Sequence, residues 1–146
     1  MQIVYVDMDN VLVDFPWWVD QLSKEIKKEY KGDLDEIPNF FRNLPPIDGA
    51  LDGFRTLSEH YDTYILSTAP WGNPTAWIDK ILWVQEYLPE AAYKRLILSH
   101  NKQLNSGDYL IDDRTANGAS DFDGEHIHFG QSPFENWDDV LNYLIP

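Results

Sequence analysis

The stretch Ile3-Val4-Tyr5-Val6-Asp7-Met8-Asp9-Asn10-Val11-Leu12-Val13 sets the terms on which the rest of the chain is read. Its first four residues are β-branched or aromatic, so residues 2–6 read as a short strand. Asp7 and Asp9 then leave the end of that strand close together. Strands disfavour acidic residues, and two like charges this close repel. Either both are solvated turn residues, or something positive sits between them.

Working outward, the chain alternates helical and strand patterns. Trp18, Leu22, Ile26 and Tyr30 recur every four residues and predict a helix over 17–30. Gly32, Pro38, Pro45 and Pro46 make 31–47 irregular, and a helix is expected over 49–60. Residues 61–66 read as a strand ending at Ser67-Thr68, and Thr75 is positioned to cap a helix over 76–88. Further strands are expected at 95–98, 109–111 and 125–129, with a closing helix over 134–145. Short apolar strands separated by crossovers predict a parallel sheet covered on both faces, a three-layer α/β/α fold. Ligands of such sheets bind beyond the carboxyl ends of the strands.

Composition narrows the partners. At 146 residues the chain is expected to be a single domain, 1–146, burying roughly 70% of its unfolded surface. The net charge of −14, from 25 acidic against 11 basic residues, argues against a nucleic-acid polymer as partner. A small anion in a local pocket remains compatible with it. There is no cysteine, hence no disulfide, thiolate metal site or cysteine nucleophile. No apolar run reaches ~18 residues and no signal-peptide pattern opens the chain, so no membrane partner and a cytoplasmic location are expected.

The strand ends carry polar groups of particular kinds. Asp7 and Asp9 follow the first strand, Ser67 and Thr68 the second, Ser99-His100-Asn101-Lys102 the third, and Asp112-Asp113 the fourth. Asp33/Asp35, Asp121/Asp123 and Asp138-Asp139 repeat the spacing, but in loop-like or helical surroundings where solvation is the simpler reading. In a parallel sheet, four carboxylates, a hydroxyl and an ammonium would share one rim. They cannot all stay ionised without raised pKa values or a cation. Oxygen-only ligands suit Mg²⁺, which commonly bridges to a substrate phosphate. Phosphoryl transfer depends on such positioning and charge stabilisation, and a carboxylate can attack phosphorus directly.

In this order, Asp7-Met8-Asp9-Asn10-Val11, Ser67-Thr68, Lys102 and Asp112-Asp113 resemble the haloacid-dehalogenase-like (HAD) phosphohydrolase superfamily. DMDNVLVDF at 7–15, Thr68-Ala69-Pro70, Trp83 with Tyr87-Leu88, Asn101-Lys102 and LIDDR at 110–114 look like the 5′(3′)-deoxyribonucleotidase family in particular. The likeness implies a HAD-like fold with a short helical cap, 16–47, inserted after the first strand. It implies Asp7 as nucleophile and Asp9 as general acid and base. It implies Mg²⁺ held by Asp7, the backbone carbonyl of Asp9, and one or both of Asp112 and Asp113. Thr68, Lys80 and Lys102 would contact the phosphoryl group, and Phe15 would line the nucleoside pocket. The implied substrate is a small phosphate ester, a nucleoside monophosphate. Ala69 departs from the serine common at that place, and the cap's base-stacking aromatics have no direct match. Trp17, Trp18, Phe40 and Phe41 are the candidates to replace them.

Taken singly, each of these residues has a bland reading: turn hydroxyl, solvated lysine, core aromatic. His60, His100, His126 and His128 share no ligand spacing with the acidic set, and Arg114 is read as paired to an acidic neighbour. Three other functions are carried forward: a phosphatase for a sugar phosphate, a dehalogenase, and a non-enzymatic receiver-like signalling module that binds Mg²⁺ and phosphate. The order of Asp-x-Asp, Lys102 and the acidic pair disfavours the last, and the second Asp of Asp-x-Asp, which serves phosphate-ester chemistry, disfavours the dehalogenase. Oligomeric state is not read from the sequence, but exposed aromatics in a short cap could mark a contact surface, with a homodimer as the self-association considered.

Overall fold

In a computed structural model, residues 1–146 are described throughout. Five strands form one sheet: β1 (Ile3–Val6), β2 (Asp62–Ser67), β3 (Leu96–Leu98), β4 (Tyr109–Asp112) and β5 (Glu125–His128). All neighbouring strands are parallel, in the order β3-β2-β1-β4-β5. Val6 pairs with Ile65 on one side and Ile111 on the other, so the carboxyl ends of the first, second and fourth strands lie within two residues of one another. The chain starts in the middle, winds outward through β2 and β3, then returns to pair β4 with β1. That reversal opens a crevice at the carboxyl ends of β1 and β4, where ligands of such sheets bind.

One face carries the larger core. Val4, Val6, Ile65, Ile111 and Ile127 pack there with side chains of α3 (Ala50–His60), α4 (Pro74–Tyr87) and α5 (Trp137–Leu144). Right-handed crossovers put the connections β1–β2 and β2–β3 on this side. The opposite face is thinner, with Tyr5, Leu66 and Leu110 covered by Ala119 and Phe122. The crossovers on that side are short and rich in Asn, Asp and Gly, and form single 3-10 turns at Lys102–Leu104 and Ala119–Asp121.

Between β1 and α3 the expected single helix over 17–30 is two helices, α1 (Phe15–Asp20) and α2 (Lys24–Glu29). The period of four continued through the break, but Ser23 caps a new start by accepting from the Ile26 amide at 3.2 Å. Asp14 caps α1 by the same device, from the Trp17 amide at 3.0 Å. Two 3-10 turns follow, at Leu34–Glu36 and Phe40–Asn43. Helix α4 starts two residues earlier than expected: Asn73, and not Thr75, is its N-cap residue. Helix α5 starts at Trp137, capped by the Asn136 side chain, and not at residue 134.

Candidate active site

The turn after β1 explains why the two aspartates sit where they do. Met8 is fully buried, and its carbonyl accepts from the amides of Val11, Leu12 and Val13 at 3.2, 2.8 and 3.0 Å. Anchoring the even position inward leaves Asp7 and Asp9 flanking it at the rim. Asn10 closes the turn at φ 63°, a left-handed conformation that Asn tolerates better than most residues. Trp137 supports the turn from below, its indole donating to the Val11 carbonyl at 2.8 Å.

Three carboxylates converge at the crevice. Single oxygens of Asp7, Asp112 and Asp113 all lie within 4.8 Å of one another. Lys102 bridges two of them, its ammonium 3.2 Å from Asp7 Oδ1 and 2.6 Å from Asp112 Oδ2. All three of these partners are buried. The Asn10 amide donates to Asp113 Oδ2 at 3.0 Å, while Asp113 Oδ1 is buried with no hydrogen-bond partner.

The electrostatics follow from that crowding. Burial pushes the Asp7 carboxyl up from 3.8 to about 7, Lys102 opposes the shift, and Asp112 and Asp9 add to it. Asp113 is raised for the same reasons, burial first and Asp7 second. Burial acts to lower Lys102, but the charges of Asp7 and Asp112 outweigh it and hold the ammonium above its ordinary value. One cation facing three carboxylates leaves the cluster short of positive charge. A buried carboxylate oxygen without a partner, within an all-oxygen donor set, fits a hard divalent cation such as Mg²⁺.

Asp9 lies outside that triad and has its own cation. Lys80 Nζ is 3.5 Å from Asp9 Oδ1 and donates to Ser67 Oγ at 2.7 Å, with the Phe41 ring face 4.3 Å away. Lys80 is fully buried. A lysine so enclosed is held by its acceptors, and it reaches Asp9 from beneath the rim.

The remaining sequence candidates are placed differently. Thr68 donates its hydroxyl proton to the Ser99 carbonyl at 2.7 Å, at the exits of β2 and β3. Phe15 lines a cleft of about 380 Å³ with Asp9, Asn10, Gly32, Leu34, Asp35 and Arg114. Arg114 makes no ion pair, contrary to the pairing expected, and lines this cleft. Of the aromatics considered as replacements, Trp18, Phe40 and Phe41 are buried and pack on one another, and only Trp17 is exposed. His126 and His128 are structural: their Nε2 atoms pair with the carbonyls of Asp112 and Asp113 at 3.0 and 2.8 Å.

Sequence reasoning named Asn10 and Ser67 within its motifs but gave neither a role. Nothing near Asn10 signalled its bond to Asp113. Ser67 had a signal, since the inward face of α4, read as Ala76, Lys80, Trp83 and Val84 at helical spacing, points a lysine at the end of β2.

In the solved structures this architecture is matched by the HAD-hydrolase YfnB of Bacillus subtilis, itself described as bound to magnesium. The two superpose with a TM-score of 0.67 over 99% of both chains, at 16% identity, which shows a shared fold. At the level of sequence, the family model for 5′ nucleotidase, deoxy (pyrimidine), cytosolic type C proteins matches residues 33–142. A Vibrio phage KVP40 protein, provisionally assigned as a 5′(3′)-deoxyribonucleotidase, is 59% identical over 142 residues, covering 97% of this chain and 84% of its own. A Staphylococcus epidermidis protein with the same provisional assignment is 35% identical over 173 aligned positions, covering 98% and 96%. The chain belongs to this deoxyribonucleotidase family of the HAD superfamily. The Staphylococcus alignment is longer than the 146 residues here, so that relative carries inserted segments which this chain lacks.

Proposed function

We propose that the protein is a Mg²⁺-dependent phosphomonoesterase that releases phosphate from nucleoside monophosphates, a 5′(3′)-deoxyribonucleotidase, by way of an aspartyl-phosphate. The observation that carries it is the buried Lys102 bridging Asp7 and Asp112 at the switch crevice, beside the unpartnered Asp113 oxygen. Asp7, Asp112, Asp113 and the Asp9 carbonyl would hold the cation, which supplies charge to offset the carboxylates and the phosphoryl oxygens.

The chain's own residues divide the remaining work. Asp7 attacks phosphorus through a carboxylate oxygen, and the bond to the leaving ester oxygen breaks in line with it. Asp9 gives its proton to that oxygen, so the nucleoside leaves as a neutral alcohol. The resulting Asp9 carboxylate then takes a proton from the water that attacks phosphorus. The acyl-phosphate bond breaks at phosphorus, inorganic phosphate leaves, and Asp7 returns to its starting state. Lys102 opposes the protonation that burial favours at Asp7, and so supports the carboxylate form that attacks. Lys80, anchored on Ser67, fixes the place of the Asp9 side chain, and Thr68 contacts phosphoryl oxygens once its hydroxyl turns from Ser99. Residues 16–47 act as the cap, and Phe15 forms the apolar wall for the nucleoside.

A panel of nucleoside 5′- and 3′-monophosphates and sugar phosphates, assayed with and without Mg²⁺, tests this reading. Turnover of deoxynucleotides that stops with EDTA and in Asp7→Asn is expected. Sugar phosphates as the only substrates would contradict the nucleotide assignment.

A further inference from the structure

The cleft has one wall that belongs to neither the sheet nor its exits. Gly32, Leu34 and Asp35 line it together with Asp9, Asn10, Phe15 and Arg114. Nothing in the local sequence fixes that wall firmly: it is a glycine turn and a single 3-10 turn with no side-chain cap. Its fastening comes from elsewhere.

Asn73, buried at the N-cap of α4, spends both amide protons on it. Nδ2 donates to the carbonyls of Asp35 at 2.9 Å and Ile37 at 3.0 Å. Its Oδ1 accepts from the Thr75 hydroxyl at 2.7 Å, and Thr75 Oγ1 in turn accepts from the Asn39 amide at 2.9 Å. Further along α4, Asp79 pairs with Arg42 at 3.3 Å and the Trp83 indole donates to the Leu44 carbonyl at 3.0 Å. The stretch 35–44 is therefore clasped onto α4, the same helix that carries Lys80 to Asp9.

We propose that Asn73 is a positioning residue for substrate. By holding the Asp35 and Ile37 carbonyls it fixes the Gly32–Asp35 wall at the distance from Asp9 that a ring-bearing leaving group requires. Selectivity for esters whose alcohol carries a ring is then built into a pre-formed cleft. This rests on the phosphatase reading above. Asn73 itself touches no reacting atom.

The test compares Asn73→Ala, Thr75→Ala and Thr75→Ser with wild type in two measurements. The first is amide hydrogen exchange, which needs no substrate. Exchange over residues 33–40 should accelerate on the order of tenfold in Asn73→Ala and less in Thr75→Ala, with β1 and β4 unchanged and Thr75→Ser like wild type. Unchanged exchange over 33–40 in both alanine variants overturns the clasp. The second is steady-state kinetics on a deoxynucleoside monophosphate, p-nitrophenyl phosphate and acetyl phosphate, the last too small to meet the wall. KM for the ring-bearing esters should rise on the order of tenfold in Asn73→Ala with kcat near wild type, and acetyl phosphate should be unaffected. Equal losses on all three overturn the positioning role. Should Asn73→Ala fail to fold, the Thr75 pair decides. A wild type that ignores nucleotides but hydrolyses p-nitrophenyl phosphate contradicts the nucleotide reading alone, and the wall is then scored on that ester.

Discussion

The Lys102 ammonium meets the Asp7 carboxylate at 3.2 Å, across 95 residues of chain and with both side chains almost wholly buried. An ion pair in that setting is expensive to form, and removing one member strands the other's charge. Lys102→Met leaves three carboxylates with no cation among them. In metal-free buffer the variant should lose about 3–5 kcal/mol of stability by urea unfolding. Addition of Mg²⁺ should recover part of that loss, because the cation replaces the missing charge. A variant as stable as wild type without metal would show that Asp7 and Asp112 are not ionised together.

The position of Asp7 sets a pH dependence. Its carboxyl is raised by burial from 3.8 to about 7, so the folded state holds the proton more tightly than the unfolded chain does. The stability it contributes is complete below pH ~4 and is lost as pH rises through about 7. In EDTA, Asp7→Asn should therefore gain on wild type between pH 4 and about 7 and level off above it, since Asn carries no charge to bury. Parallel urea midpoints for the two proteins across that range would contradict the shift.

Lys80 touches Asp9 from within the core, so its loss should fall on the step that Asp9 serves. Lys80→Met is expected to depress hydrolysis of an alkyl phosphate ester, whose leaving oxygen needs a proton, by about 10²-fold or more. The loss on p-nitrophenyl phosphate, whose leaving group departs as an anion, should be several-fold smaller. Equal losses on both esters would place Lys80 against the phosphoryl group instead.

Gly53 sits in α3 where Trp137 packs flat against the helix. A Cβ there would lie 2.9 Å from Trp137 Cδ2 and closer still to Cε3. Alanine favours the helix by up to ~1 kcal/mol. Overpacking against a fully buried indole should more than offset that, so Gly53→Ala is expected to destabilise by about 1–3 kcal/mol. Activity should fall as well, because the same indole holds the Val11 carbonyl under the catalytic turn. Calorimetry and an activity assay on the same preparation check both.

The sheet was legible because β1, β2, β3 and β4 each carry an apolar run of three or four residues, the pattern that burial on both faces requires, whereas the edge strand β5 reads Glu-His-Ile-His. Asp7, Lys102 and Asp112 were legible because each follows such a run, and a parallel sheet turns strand ends into neighbours. What stayed hidden depended on partners distant in sequence. Lys80 was named through the family likeness as a phosphoryl contact, but its burial and its contact with Asp9 depend on its place in the Ala76–Trp83 face. The break at Ser23 was masked by an apolar period that runs on through it. Asn73 gave no sign at all, since its acceptors are backbone carbonyls 36 and 38 residues away. Trp18, Phe40 and Phe41 had the right chemistry for base stacking, but a chain this short needs them for its core.

Covalent capture of the phosphoryl group tests the mechanism most directly. Enzyme quenched in acid during turnover of a deoxynucleoside monophosphate, reduced with borohydride and digested, should yield homoserine in place of Asp7, found by mass spectrometry of the N-terminal peptide. Asp7→Asn should yield none. Sustained turnover with no modification at position 7, or modification at Asp9, Asp112 or Asp113 in its place, would contradict Asp7 as the nucleophile.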